Sequence, residues 1–222
     1  MSEPATTVPA GAPRAEDLVW VPGGTFRMGS DEHYPEEGPT RDVAVNGLRV
    51  CRRGLVLPTE AQWEHAARGG LDGAASTWGD EAEPAGLRLA NFWHGDFPWR
   101  AARGYGRTTP VGSFPANGYG LFDMAGNLWE WTQDWYTEGR WPDVSACCVP
   151  RDPRGGSQED SYDPAQPQFR VARKVVKGGS FLCADSYCRR YRPAARRPQV
   201  VDTGMSHIGF RCVSSPSAQG GT

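Results

Sequence analysis

Apolar positions in this chain come in short runs broken by glycine and proline rather than in long helical stripes. Residues 18–21 and 25–28 flank Pro22-Gly23-Gly24, which predicts a hairpin. Residues 41–45 alternate toward Asn46-Gly47, a second turn signal. The clearest helix starts after Pro58, where Thr59 and Gln62 make a capping-box pattern. It carries Trp63, Ala66 and Ala67 on one face and ends at Gly69-Gly70. Beyond it the pattern is mostly that of loop, with strands expected again at 174–177 and 208–213. Residues 137–170, rich in Pro, Gly, Asp and Ser, read as a long surface excursion. Residues 1–17 and 214–222 have little to bury and read as disordered tails around a single domain at 18–213.

Composition sharpens this picture. The 222 residues include 28 glycines and 19 prolines, so turns must dominate the path and an irregular, loop-rich fold is expected. Nine tryptophans within only 38% hydrophobic residues imply a core built largely of aromatic rings that pin down loops. A formal net charge of -2 argues against nucleic-acid or membrane-surface binding through bulk electrostatics. No apolar run has the length of a transmembrane helix, and the first residues lack the basic and apolar parts of a signal peptide, so a cytoplasmic location is expected. In a reducing compartment the cysteines at 51, 147, 148, 183, 188 and 212 are expected to be free, metal-binding or catalytic.

Two constellations carry candidate chemistry. The first is KGGSFLCADSYC at 177–188, which sets Cys183 and Cys188 five positions apart behind a Gly-Gly-Ser turn. By spacing alone the pair is a disulfide, a redox couple, a soft-metal site or two idle thiols. Two thiolates with little else around them suit a soft, low-coordination ion such as Cu(I). The four histidines, at 33, 65, 94 and 207, show no ligand spacing and no CxxC exists, which argues against structural zinc. The second constellation is GYGLFDMAGNLWEWTQDWY at 118–136, where Asp123 and Glu130 flank Gly126-Asn127. A tight turn there would gather carboxylate and carbonyl oxygens around calcium, or the carboxylates would cap turns and face water.

These segments resemble a known family, the formylglycine-generating enzymes, also called sulfatase-modifying factors. The resemblance runs through VWVPGGTFRMGSDEHYPEEGP (19–39), LPTEAQWEHAARGG (57–70), ANFWHGDFP (90–98), PVGSFPANGYGLFDMAGNLWEWT (110–132), VKGGSFLCADSYCRRYRPAAR and HIGFRC. It implies an α+β fold, loop-rich and distantly like C-type lectins, and a copper-dependent oxidase. Such enzymes use O2 and a thiol reductant to convert the cysteine of a CxPxR motif in an unfolded sulfatase to Cα-formylglycine. Cys183 and Cys188 match the Cu(I) ligands and Ser180 a serine near that centre. Trp129 and His207 match residues that line the peptide site. Calcium is implied at Asp123, Glu130 and the carbonyls of Gly126 and Leu128. A second, weaker calcium set is Asn91 with the carbonyls of Phe92 and Tyr105, where Arg103 stands in place of the usual acidic ligand. A monomer with no nucleic-acid or membrane partner is expected.

The chain departs from the family between Val45 and Gly54, where a long helical segment is missing over about 46–53 and apolar surface is expected to be exposed. Cys51 and Cys212 lie near positions paired in secreted relatives. Cys51 is out of step by one, so an unpaired thiol is expected, with a Cys51–Cys212 disulfide as the lesser reading. Cys147-Cys148 resembles a doublet of some bacterial members. Two rivals to the oxidase follow: a non-catalytic binding module on the same scaffold, and an inactive, internally deleted variant.

Overall fold

The computed structural model describes residues 18–51, 56–139 and 148–214. The expected tail at 1–17, residues 215–222 of the other, Cys147 and residues 52–55 of the shortened crossing lie outside the described residues, while Ser214, expected in the tail, ends a strand. The strands are β1 (Leu18–Val21), β2 (Gly24–Met28), β3 (Arg41–Val45), β4 (Leu48–Cys51), β5 (Gly95–Asp96), β6 (Arg100–Ala101), β7 (Trp129–Trp135), β8 (Arg173–Lys177), β9 (Arg196–Val200), β10 (Ile208–Gly209) and β11 (Cys212–Ser214). The α-helix, α1, spans Glu60–Arg68. The result is the expected α+β architecture with most of the chain in loops.

The first sheet corrects the hairpin expectation. β1 does not fold back on β2; it pairs with β4, and β2 pairs with β3. Val21 faces Leu48 and Gly24 faces Val45, so both pairs share one register and form a single two-stranded ribbon. Pro22-Gly23 and Asn46-Gly47 are kinks opposite each other in that ribbon, not turns. A Cβ on Gly23 would lie 2.6 Å from the Gly47 nitrogen, so the kink needs glycine for close backbone approach. His65 of α1 pins it by a 2.8 Å bond to the Pro22 carbonyl. The true turn of the ribbon is the polar stretch between β2 and β3. β11 completes this sheet, in the order β1-β4-β11, and its register sets Cys212, a free thiol, opposite Cys51.

The second sheet runs β10-β7-β8-β9 and contains two strands that the hydrophobic pattern does not signal. The sequence of β7 reads as a calcium turn and loop, and β9 contains Pro198 and two arginines. β9 is tolerated because it lies at the edge, where a proline need not donate to a ladder. Its Arg196 is turned inward to a bidentate pair with Glu60 of α1. The stretch expected as one strand at 208–213 is split: β10 runs parallel to β7, and β11 crosses to the other sheet.

Helix α1 sits between the sheets. Thr59 and Gln62 form the reciprocal capping box, and Gly69 closes the helix in the left-handed conformation, φ 60°. Trp63, Ala66 and Ala67 pack with Val21, Leu48, Val50, Leu121, Met124 and Val213 in one buried cluster. Just after the crossing, the Val56 carbonyl accepts from the Val213 N–H. The exposure expected there falls on Trp20 and Val56, each about half accessible. The 137–170 stretch is not a free excursion in its described part. The Pro150 carbonyl accepts from the Ala44 N–H, and the Asp152 carboxylate accepts from Asn46, both on the ribbon side. Among the described residues no helix is long and apolar enough to cross a membrane.

Candidate functional site

β8 delivers the chain into the thiol loop through Gly178 and Gly179, at φ 88° and 69°. A Cβ on Gly179 would lie 2.7 Å from Tyr191 Cα, so glycine allows the loop's two ends to touch. One turn then follows: the Cys183 N–H donates to the Ser180 carbonyl, and the Tyr187 and Cys188 N–H groups both donate to the Ala184 carbonyl. The Trp93 N–H bonds to the Cys183 carbonyl at 2.7 Å and fixes the loop from outside. The two sulfurs end 3.1 Å apart. That is well beyond a disulfide bond of about 2.05 Å and within the span of two metal–sulfur bonds of about 2.3 Å each.

The two thiols are unequal. Cys183 is 3% exposed, in a cluster with Ala90, Phe92, Ala125, Trp129, Val176 and Tyr191, whereas Cys188 is partly accessible. The hydrogen bond between the sulfurs pushes Cys188 down to about 6, helped by the Arg190 N–H and the charges of Arg190 and Arg197. The same bond, then burial, pushes Cys183 far up. The pair therefore favours ionisation at Cys188 over Cys183.

The other expected residues are distributed around this pair. Ser180 is buried, and its Oγ accepts from the Leu182 N–H at 3.3 Å, the geometry of a turn-capping hydroxyl. Trp129 is buried in the thiol cluster and forms a wall of it rather than an open surface. His207 is partly exposed, its carbonyl accepts from the Trp129 N–H, and burial followed by the Arg197 charge lowers its imidazole pKa. Sequence reasoning missed Arg190 and Arg197, both of which bear on Cys188. It also missed an aromatic shelf beside them. Tyr187, 72% exposed, stacks on Phe97 at 4.9 Å, and the same β5–β6 hairpin carries Trp99, 88% exposed. The only signal in the sequence was CRRYR and FPW, too generic to separate from surface.

The calcium expectations fare differently from the order in which the sequence placed them. Both Glu130 oxygens accept from the largely buried Arg211, at 2.5 and 2.6 Å, and Oε2 also accepts from Trp63 Nε1. Arg211 Nη2 further bonds to the Phe122 and Asp123 carbonyls. Asp123 itself accepts from the Gly112 N–H. A guanidinium thus supplies the positive charge at that turn, and the Glu130 set as arranged does not fit a metal ion. At the other turn Asn91 is buried, its Nδ2 is spent on three acceptors, and its Oδ1 has no partner. An orphaned buried oxygen of this kind suits a hard cation. Arg103 points its exposure to solvent and is not packed into that turn. No group of three or more His, Cys, Asp or Glu side chains converges for a metal among the described residues.

Comparison with known proteins agrees with this geometry. Residues 51–216 match the sulfatase-modifying factor enzyme 1-like domain. The chain is 46% identical over 207 residues to a formylglycine-generating enzyme of Mycobacterium tuberculosis, covering 89% of this chain and 65% of that one. It is 47% identical over 212 residues to the enzyme of the same name from Thermomonospora curvata, covering 92% and 66%. The chain thus spans just under two thirds of the length of these relatives. Among solved structures, Treponema denticola variable protein 1 shares the fold, with a TM-score of 0.64 at 16% identity over 90% of this chain and 95% of that one. Fold, matched domain and identity together mean that this chain belongs to the sulfatase-modifying factor family.

Proposed function

We propose that this protein matures sulfatases by a copper-dependent, O2-using oxidation of the cysteine in a CxPxR motif to Cα-formylglycine. The observation that carries the reading is the pair of sulfurs 3.1 Å apart, one sealed in an aromatic cluster and one reachable from solvent. Cu(I) held by Cys183 and Cys188 would supply one-electron chemistry toward O2 and a place for a third, substrate thiolate. The chain's own residues then have separate tasks. Cys183, Trp129 and Tyr191 exclude water from one side of the pair. Arg190 and Arg197 offset the negative charge that accumulates when thiolates gather. The Tyr187–Phe97 stack and Trp99 offer flat apolar surface to an extended, non-native polypeptide.

The electron balance explains the need for a reductant. Oxidising the substrate CH2–SH to an aldehyde, with release of H2S, yields one electron pair, while reducing O2 to water consumes two pairs. A thiol reductant provides the second pair.

The test is direct. Protein loaded with Cu(I) and given O2, dithiothreitol and a CxPxR peptide should convert the peptide cysteine to the aldehyde, read by mass spectrometry. A folded, copper-loaded sample that leaves the peptide unchanged would overturn the reading. A calcium ion at Asn91, with the Phe92 and Tyr105 carbonyls, is proposed as a structural support beneath the loop. It predicts a rise in thermal midpoint on adding calcium that Asn91→Ala removes.

A further inference from the structure

The stretch 29–40, with His33-Tyr34-Pro35-Glu36-Glu37 at its centre, has no task in the chemistry above. In sequence it is a polar loop with turn residues. In the fold it is the far end of the long β1–β4/β2–β3 ribbon, and it is braced at its base. The Gly29 N–H donates to buried Glu64 at 2.7 Å, Ser30 N–H to the Glu37 carbonyl, and Thr40 N–H to Asp31. Residues 35–37 form a single 3-10 turn with Tyr34 as its N-cap, and Tyr34, Glu36 and Glu37 each have a side-chain contact across the fold.

Those side chains grip the residues that follow Cys188, some 155 positions along the chain. The Arg189 N–H donates to Tyr34 Oη at 3.1 Å. The Arg190 guanidinium lies 4.1 Å over the Tyr34 ring and donates to Glu36 at 2.8 Å. Arg192 makes a buried bidentate pair with Glu37. Arg190 in turn gives its backbone N–H to the Cys188 sulfur. The two thiols are therefore located by different means. Cys183 is packed into the aromatic cluster, whereas Cys188, more open, is followed immediately by residues held from the ribbon tip.

We infer that Tyr34 and Glu36 are positioning residues for Cys188: acting through Arg189 and Arg190, they set the distance and orientation of the second sulfur relative to Cys183. The consequence for metal affinity rests on the copper reading; the consequence for the thiol itself does not. Contacts of this kind, one step behind a metal-binding atom, typically change affinity by about ten- to a hundredfold when removed. Tyr34 acts as both a ring and an acceptor, and Glu36 as a charge, so conservative changes separate the parts.

The experiment uses the full chain and the variants Glu36→Gln, Tyr34→Phe and Tyr34→Ala, with Glu37→Gln as the control for plain loss of structure. Two quantities are measured beside the thermal midpoint. One is Cu(I) affinity by competition with a chromogenic Cu(I) chelator. The other is the ratio of Cys188 to Cys183 alkylation in metal-free protein, by peptide mapping. Glu36→Gln and Tyr34→Ala should weaken Cu(I) binding about tenfold and shift the alkylation ratio severalfold, with the midpoint close to that of wild type. Tyr34→Phe, which keeps the ring under Arg190, should recover part of both. Glu37→Gln should lower the midpoint first. Wild-type affinity and alkylation ratio in both Glu36→Gln and Tyr34→Ala would overturn the inference, as would losses that track the midpoint. Wild-type protein that takes up no Cu(I) would sink the copper reading instead, and the alkylation ratio alone would then decide the role of Tyr34 and Glu36.

Discussion

Two regions of this molecule handle charge in opposite ways. Between α1 and the second sheet, Lys177 is fully buried against Glu64 at 3.0 Å and Glu60 at 3.7 Å. Arg196 pairs with Glu60, and Arg68 with Glu64. Every cation there meets a carboxylate at hydrogen-bond range, so burial is offset by pairing. At the thiol loop, by contrast, the negative group is a sulfur, the cations Arg190 and Arg197 act on it mainly through space, and the neighbouring surface is aromatic and open. The first arrangement fixes a geometry. The second favours an ionised thiol and leaves it partly open to solvent. A loop-rich chain needs the first to make the second possible, because β8 enters the thiol loop directly from Lys177.

The sharpest way to break this contrast is at the sulfurs. Cys183→Ser should abolish Cu(I) uptake and peptide oxidation while leaving a cooperative melt, since the change is nearly isosteric and the ion pairs are elsewhere. Retained turnover would mean that the pair is not the reactive centre. Lys177→Met should do the reverse. Glu64 keeps Arg68 and Glu60 keeps Arg196, so losing the buried ammonium leaves one carboxylate oxygen short of a donor and should cost about 1 to 3 kcal/mol in denaturant unfolding, while whatever remains folded keeps its thiol pair.

A pH profile sharpens the comparison without any metal. The hydrogen bond with Cys183, against the opposing effect of burial, lowers Cys188 to about 6, so its alkylation by iodoacetamide should rise as pH increases through that value, well below the range near 8.5 of an ordinary thiol. A profile centred near 8.5 would show that the loop does not favour the thiolate. The smallest effect is expected at the helix cap. Thr59→Ala removes the bond to the Gln62 N–H at 3.1 Å and should cost about 1 kcal/mol, read in the unfolding midpoint with thiol reactivity unchanged.

Some of this was legible before any coordinates. The capping box at Thr59 and the Gly69-Gly70 stop are local signals, decided by residues three or four apart, and the structure contains both. The thiol loop was legible as a motif, because Gly-Gly-Ser and two cysteines five apart are contiguous. What failed was whatever depends on a partner far away. Glu130 reads as a calcium ligand in the sequence, and nothing local shows that Arg211, 81 positions on, donates to both its oxygens. β9 reads as loop because the inward-facing Arg196 suits a strand only with Glu60 in place. The Pro22-Gly23 and Asn46-Gly47 signals were real backbone bends, but no local pattern says that two bends face each other in one ribbon.

The sequence by itself therefore determined the loop-rich α+β class, helix α1 and the adjacency of Ser180, Cys183 and Cys188 on one short turn, whereas the core it implied to be largely aromatic is mostly aliphatic, with Trp63 and Trp129 its buried tryptophans among the described residues. Tertiary structure alone decided that the two sulfurs meet at 3.1 Å with one buried and one open, that Glu130 belongs to Arg211, and that Tyr34 and Glu36 reach across to the residues behind Cys188. The physical reason is the range of the forces involved. Capping and turn conformations are set within a few residues, whereas burial, ion pairing and the ionisation of a thiol depend on which distant groups the fold brings within a few ångströms.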